Sequence, residues 1–354
     1  MKRLIALLLA AALTLGAGCL AGALADETVT EIRDIEDLRA MAAAPKGRYR
    51  LMNDIDMGGV DWTPIPFAGE LDGGGHGLYN MRVTQVGAET RETCDGNRKR
   101  YETTFAGLFS TLDRAKVHDL KLIGALVDVE TDTHCFIALL AGYMIDCTIS
   151  DCTVRGRVNM VSSGVMVGTG GVAGYGSGLF ERCVVDVELV FEDRNFSRRC
   201  EQFMGGVLSC GIADIRACMV EIDGYDSCHG YVHDGGLVGM YYRCDFDYQP
   251  TAVDDNIIEG VIHFFEDNPD RRAYCDPCLG ELLGQRKPKM YGNFSEFKGD
   301  ETKDFSKVLH PEQCDAPSYT ETVIAPSDGV WGYTRHECSG CGYCWRDSYT
   351  PPNS

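Results

Sequence analysis

The chain has 354 residues, with 53 acidic against 33 basic side chains, a net charge of −20 and 44% apolar residues. This is globular composition with enough apolar content for a sizeable core, and the acidic balance without any basic block argues against nucleic acid or anionic membrane as partner. Seventeen Cys are too many for a reduced cytosolic protein unless disulfides or metal account for them.

Lys2 and Arg3 precede an uncharged apolar run from Leu4 to Leu15, and Ala23-Leu24-Ala25 stands before Asp26. A basic start, an apolar core too short to span a bilayer and an A-x-A site read as a signal peptide over residues 1–25, and so as a secreted or cell-surface protein. A competing cut lies at Leu15-Gly16-Ala17-Gly18-Cys19, similar to a bacterial lipobox, which would leave a lipid anchor at Cys19. Either cut leaves 16 Cys, and loss of Lys2 and Arg3 takes the charge to −22. No later segment approaches ~18 uninterrupted apolar residues, so no membrane span is expected.

Residues 26–48 form the expected N-terminal cap. Ile35, Leu38 and Met41 share one face of a short amphipathic helix with Asp34 as its N-cap, placed to cover an open end of a β-structure. From residue 49 to 266 the chain repeats itself. A small-small-apolar-apolar-small signal starts at Ala106, Ala138, Gly170, Gly205 and Gly235, with spacings of 32, 32, 35 and 30 residues. About 13 residues after four of these starts comes a second landmark, Asp119, Cys152, Cys183 and Cys218, followed by period-2 runs such as Val185-Asp186-Val187-Glu188-Leu189. A near-constant period means stacked units, alternation means strands with one face inward, and the Gly pairs mark tight turns. The fold class expected is all-β, a β-solenoid with interior ladders that include Cys152, Cys183 and Cys218. An antiparallel sandwich would not need the same signature at one period. Two polar insertions, Glu89 to Glu102 with Cys94 and Glu192 to Glu201 with Cys200, are expected to bulge from surface turns.

The run Tyr49-Arg50-Leu51-Met52-Asn53-Asp54-Ile55-Asp56-Met57, then Trp62-Thr63-Pro64-Ile65, then Phe67-Ala68-Gly69-Glu70-Leu71-Asp72-Gly73-Gly74-Gly75-His76, together with Gly235-Gly236-Leu237-Val238-Gly239, resembles bacterial surface proteins with GLUG repeats over residues 30 to 245. The resemblance implies a right-handed parallel β-helix on a secreted or surface-attached protein, often adhesin-like, with a poorly defined biochemical role. This chain departs from the pattern in its many Cys.

From about Asp267 the composition shifts to Pro, Lys, Asp and Cys, and residues 267–354 read as a Cys-rich C-terminal module. Tyr319-Thr320-Glu321-Thr322 through Cys338-Ser339-Gly340-Cys341-Gly342 resembles a small Cys-containing repeat of Firmicute surface proteins, with Pro326-Ser327-Asp328 where that repeat carries a Cys. The pairs Cys275/Cys278 and Cys338/Cys341, or His310/Cys314 with Cys338/Cys341, could each make a tetrahedral structural zinc site, as in a zinc ribbon. Disulfides account for the same residues in an oxidising exterior.

Catalytic signals are weak. Gly75-His76-Gly77 lacks the companion pieces of β-helical polygalacturonases and reads as a glycine turn; Asp254-Asp255 lies far from it. His336-Glu337 has no second His at helical spacing, and neither a nucleophile elbow nor a phosphate loop occurs. Asp54 and Asp56 could hold calcium but more simply bond backbone amides. His229, His233 and Asp234 read as surface turn residues, and successive copies show no column of carboxylates. The expected function is a non-catalytic secreted or cell-surface binding and adhesion scaffold for a glycan or a surface protein, with exposed Tyr241 and Tyr242 as candidate contacts. The alternative is a carbohydrate-active β-helix enzyme, a polysaccharide lyase or hydrolase.

Overall fold

The structure, a computed structural model, describes residues 29–95, 98–194, 200–242 and 246–265, and beyond these 272–276, 278–283, 290, 294–295, 298–303, 319–325, 332–338 and 344–350. The expected signal peptide, residues 1–25, and the alternative anchor at Cys19 lie outside the described residues.

The chain winds as a parallel β-solenoid with three faces. The long face stacks Lys121–Thr131, Thr153–Ser162, Val184–Asp193, Met219–Asp226 and Ile257–Phe265. The short face stacks Cys135–Ala138, Met166–Gly170, Glu201–Gly205, Tyr231–Gly235 and Arg272–Asp276. The third face stacks Ala141–Ser150, Ala173–Glu181, Leu208–Arg216, Val238–Tyr242 and Leu279–Leu283. Each strand pairs in parallel with its counterpart one turn away. Pairing continues past the change in composition at 266, because Lys298–Lys303 still lies against Ile257–Phe265. Tyr319–Ile324, Gly332–Cys338 and Cys344–Thr350 form a separate antiparallel sheet.

Stacking converts the period-2 pattern into interior columns. Leu122, Val154, Val185, Val220 and Ile258 follow one another at the same register on the long face, each buried. Tyr49, Leu71, Val117, Ile149, Phe180, Ile215 and Val253 do the same on the third. The ladder through Cys152, Cys183 and Cys218 is present, and all three are buried free thiols. Its earlier member is Leu120 rather than Asp119, since Val184 N bonds Cys152 O just as Thr153 N bonds Leu120 O. Asn256 continues the column, its Oδ1 accepting from Cys218 N and its Nδ2 donating to Ile215 O, both at 2.9 Å, so the buried amide is satisfied.

From Ala106 onward two of the three corners have fixed length, whereas in the entry turn the corner from third to long face takes four residues, 73–76. Between short and third face two residues turn the chain: Gly171-Val172, Gly206-Val207, Gly236-Leu237. Between third and long face two residues again suffice, and the first of them has positive φ in every turn: Asp119 (53°), Asp151 (55°), Arg182 (53°), Ala217 (51°) and Asp255 (55°). The corner from long to short face alone varies, from three residues at 132–134 and 163–165 to seven at 194–200. That longer corner accounts for the 35-residue spacing.

At the glycine corner the backbones touch. A Cβ on Gly171 would sit 2.0 Å from Gly206 O, and one on Gly206 would sit 2.4 Å from Gly236 O.

The expected cap is present. The helix Ile35–Ala40 is N-capped by Asp34, whose Oδ1 accepts from Asp37 N at 2.9 Å, and it buries Leu38. Six residues are too few to hold as a helix alone, so burial of Leu38 and Met41 maintains it. The first insertion does more than bulge. Arg91–Cys94 and Arg100–Ala106 form an antiparallel hairpin at the edge of the short-face sheet, and Cys94, buried and disulfide-bonded, donates its amide to the Tyr175 hydroxyl at 3.3 Å. Among the described residues no helix is long and apolar enough to cross a membrane.

These contacts predict that Gly206→Ala lowers stability by about 2–3 kcal/mol in chemical denaturation, since backbone must shift to admit the methyl. Gly59→Ala, at positive φ but with open space around it, should cost only about 1 kcal/mol.

Candidate functional site

Outward positions of the long face form charged columns. Arg155, Asp186, Glu221 and Glu259 stack in register, and beside them Arg157, Glu188 and Asp223. Stacked positions in neighbouring strands lie about 4.8 Å apart, so carboxylates line up across three turns with two arginines at one end. Arg155 Nε is 3.9 Å from Asp186 and Arg157 Nη1 3.6 Å from Glu188. Glu221 and Glu259 are exposed, whereas Arg157 is 9% exposed. The C-terminal strand Cys344–Thr350 runs beside Lys121–Thr131 and Thr153–Ser162 at that end. The next row carries Tyr225 and His263, whose rings lie 5.0 Å apart, with Tyr225 donating to Asp223 at 3.3 Å. The expectation that no carboxylate column crosses the turns is therefore corrected. The column lies three residues after Cys152, Cys183 and Cys218, at Arg155, Asp186 and Glu221, and continues into Glu259 three residues after Asn256, where the Cys landmark ends.

A second polar centre opens at the N-terminal end of the third face. Arg48–Leu51 and Glu70–Asp72 stack beside Lys116–His118 and bring Arg48, Arg50, Glu70, Asp72 and His118 to one outer surface. His118 Nδ1 lies 2.8 Å from Asp119 and 3.8 Å from Asp72, and its Nε2 lies 3.4 Å from Glu70. Arg48 Nε donates to Glu70 at 2.9 Å, and Arg50 is 3.5 Å from Asp72. The bond from Arg48 holds the Glu70 carboxyl below its ordinary range, against a smaller opposing effect of burial. Burial pulls His118 down, but its hydrogen bonds to Asp119 and Glu70 and the charge of Asp72 together raise it above 6.5. Adjoining these groups is a groove of about 420 Å³ lined by Glu31, Arg48, Arg50, Glu70, Asp72 and His76 among others. Such a set can bind a polar ligand through charge and hydrogen bonds, and His118 with two or three carboxylates has the donors for proton transfer.

Residues singled out in the sequence fall in varied places. Asp54 and Asp56 are occupied locally, Asp54 accepting from Gly77 N and Asp56 from Gly58 N, both at 2.9 Å. His76 ends the glycine turn and lies 3.5 Å from Asp54. Tyr241 and Tyr242 are not exposed contacts; both are buried, and Tyr241 donates to Ala213 O at 3.0 Å. His233 and Asp234 are likewise buried rather than surface turn residues, His233 stacked on Phe203 at 5.0 Å. Asp254 pairs with Arg216 at 3.9 Å. Cys275 sits in the short-face strand Arg272–Asp276, and buried Cys278 occupies the glycine corner, its carbonyl accepting from Leu237 and Val238 N. Cys338 ends a strand of the antiparallel sheet. His310, Cys314 and Cys341 lie outside the described residues. Among buried thiols, Cys135 and Cys147 are pushed up to about 12 by burial, so neither is a ready nucleophile.

No protein-family model and no curated protein sequence matches the chain. Among solved structures, an IgA1 protease is similar over 92% of this chain and 34% of its own, with 12% identity and a TM-score of 0.46. The chain thus spans about a third of that protein.

A raised His118 value means its contribution to stability is complete below its ordinary 6.5 and fades as pH rises through the folded-state value. His118→Gln should therefore destabilise the protein more at about pH 5.5 than at about pH 8.5, checked by urea denaturation at both, with an NMR titration placing His118 above 6.5.

Proposed function

We propose that the chain is a non-catalytic secreted or cell-surface binding scaffold of the GLUG-repeat type, with the long face as its binding surface. The observation that carries this reading is the register of the long face. The same outward positions recur in every turn, so the surface offers rows of like groups about 4.8 Å apart, in Asp186, Glu221 and Glu259 and in Glu188 and Asp223. A lattice of that kind suits an extended ligand with a repeat of its own, and carboxylates favour hydroxyl- or amine-bearing chains over polyanions. A neutral or cationic glycan, or a basic segment of a surface protein, has the matching chemistry.

Binding of full-length protein to immobilised polysaccharides tests this. Neutral or amine-bearing polymers should be retained, with weakening as salt rises, and Glu221→Gln with Asp223→Asn should reduce affinity at least about fivefold, roughly 1 kcal/mol. Equal retention of a polyanion, or no effect of the double variant, would count against the reading.

The alternative, a carbohydrate-active enzyme, is favoured by one observation, the groove lined by Glu70, Asp72, Arg48 and Arg50, with His118 beside it at 3.4 Å from Glu70. It predicts release of reducing ends or unsaturated sugars that Glu70→Gln abolishes. Secretion is checked on the intact protein: a mass beginning at Asp26 in the medium supports release, and a lipidated Cys19 in the membrane fraction supports anchoring.

A further inference from the structure

The one corner of variable length gathers metal-ligand chemistry that neither surface above uses. Asp193 ends the strand Val184–Asp193, and Cys200 immediately precedes Glu201–Gly205. In the next turn Cys228 and His229 occupy the equivalent corner, between Met219–Asp226 and Tyr231–Gly235. Parallel stacking brings the two corners together: Tyr231 N donates to Cys200 O at 2.7 Å, and His229 N donates to the Asp193 carboxylate at 3.0 Å. A carboxylate oxygen of Asp193 and the sulfurs of Cys200 and Cys228 all lie within 4.8 Å of one another. His229 Nδ1 is 3.3 Å from Asp193 Oδ2.

We propose that Asp193, Cys200, Cys228 and His229 form a structural zinc site that staples two successive turns of the solenoid. The donor set is two sulfurs, one imidazole and one carboxylate, a tetrahedral combination suited to zinc. Tetrahedral ligands at ordinary zinc distances stand about 3.3–3.8 Å apart, so Asp193, Cys200 and Cys228 need to contract and His229, beside Asp193, to turn its ring toward the sulfurs. The surroundings match as well. Gly230 N–H donates to Cys228 Sγ at 3.3 Å, as outer-shell donors do for a thiolate. Asp226, 1% exposed, accepts from Cys228 N at 2.7 Å and so orients that ligand from behind. Asp193, Cys200 and Cys228 are 3%, 0% and 2% exposed, so a carboxylate and two thiols are withdrawn from water side by side. Two displaced thiol protons balance the charge of the ion, and zinc bonds directly to groups withdrawn from water. The His229 side chain, 20% exposed, is the open edge by which the ion enters. On binding, the two thiols lose their protons to solvent, His229 binds through neutral Nδ1, and the site with its metal carries a net charge of −1. Four protein ligands leave no open position, so the ion is structural rather than catalytic.

The rival chemistry is a Cys200–Cys228 disulfide, which the secreted environment would allow. Full-length protein purified without chelator or reductant decides between them by native mass spectrometry and by a non-reduced peptide map. Other Cys in the chain can also hold metal, so the readout is a difference. Wild type should retain one zinc more than Cys200→Ser with Cys228→Ser, and chelator should expose two further alkylatable thiols at these positions. If the double variant does not fold, His229→Gln decides, placed at the open edge of the site. It should keep the far-ultraviolet β signal, lower zinc affinity about 10–100-fold, and reduce the thiolate-to-metal charge-transfer band of cobalt-loaded protein relative to wild type. Zinc content and affinity unchanged in both variants, or a peptide cross-linked through Cys200 and Cys228, would overturn the proposal.

Discussion

The structure depends on how closely two stacked turns can approach where the short face meets the third. Hydrogen bonds from one turn to the next demand strand spacing of about 4.8 Å all the way round. At this corner the chain reverses in two residues, so backbone meets backbone with no side chain between. Gly107, Gly171 and Gly206 meet that demand by lacking a Cβ. Ala173 N and Val172 N both reach Val207 O across the gap, and Leu237 N reaches Cys278 O in the same way. The interior columns follow from this contact, because a constant rise at the corner keeps Leu122, Val154, Val185, Val220 and Ile258 over one another.

That contact is also what made the fold readable. Glycine recurs at Gly107, Gly171, Gly206 and Gly236, though Leu139 takes the place in one turn, so the corner shows at a visible period, and the alternation after it marks the long face. The opposite corner repeats just as strictly in backbone, with positive φ at Asp119, Asp151, Arg182, Ala217 and Asp255, yet its letters vary, Asp in three turns but Arg and Ala in two, and only the Cys that follows in three of them marks it. Its constraint falls on conformation rather than on side-chain volume. The polar centre around His118 escaped for another reason. Its members are 22 and 48 residues apart, Arg48 to Glu70 and Glu70 to His118, because the entry turns differ in length from the later ones. No fixed period could superpose them. Exposure was misjudged for Tyr241, His233 and Asp234 because short and third faces bury side chains between them as well as against the long face. Phe136 packs on Tyr175 at 5.0 Å, and a Cβ on Gly168 would meet both Phe136 and Ser209.

Cysteine serves several ends in one chain. In the column of Cys152, Cys183 and Cys218 it acts as a small apolar residue, and Leu120 and Asn256 fill the same place in neighbouring turns. In the hairpin Cys94 forms a covalent link. At Cys200 and Cys228 two thiols stand near a buried carboxylate and an imidazole. The residue type alone told nothing of this division; position in the turn decides it.

The unequal corners also bear on how such a chain can change. At the corner from third to long face the entry turn already spans four residues, 73–76, opposite the two at 119–120, and the strands on both sides stay paired. At the corner from long to short face the chain already passes from three residues to seven without loss of register. The third face also takes in ten residues between Tyr242 and Val253 with both flanks paired to Leu208–Arg216. The seam from long to short face, however, varies in more than one turn and suits natural variation in length or a grafted epitope. New loops placed there would stand in a row, one per turn, and neighbouring loops could come to act together on one target.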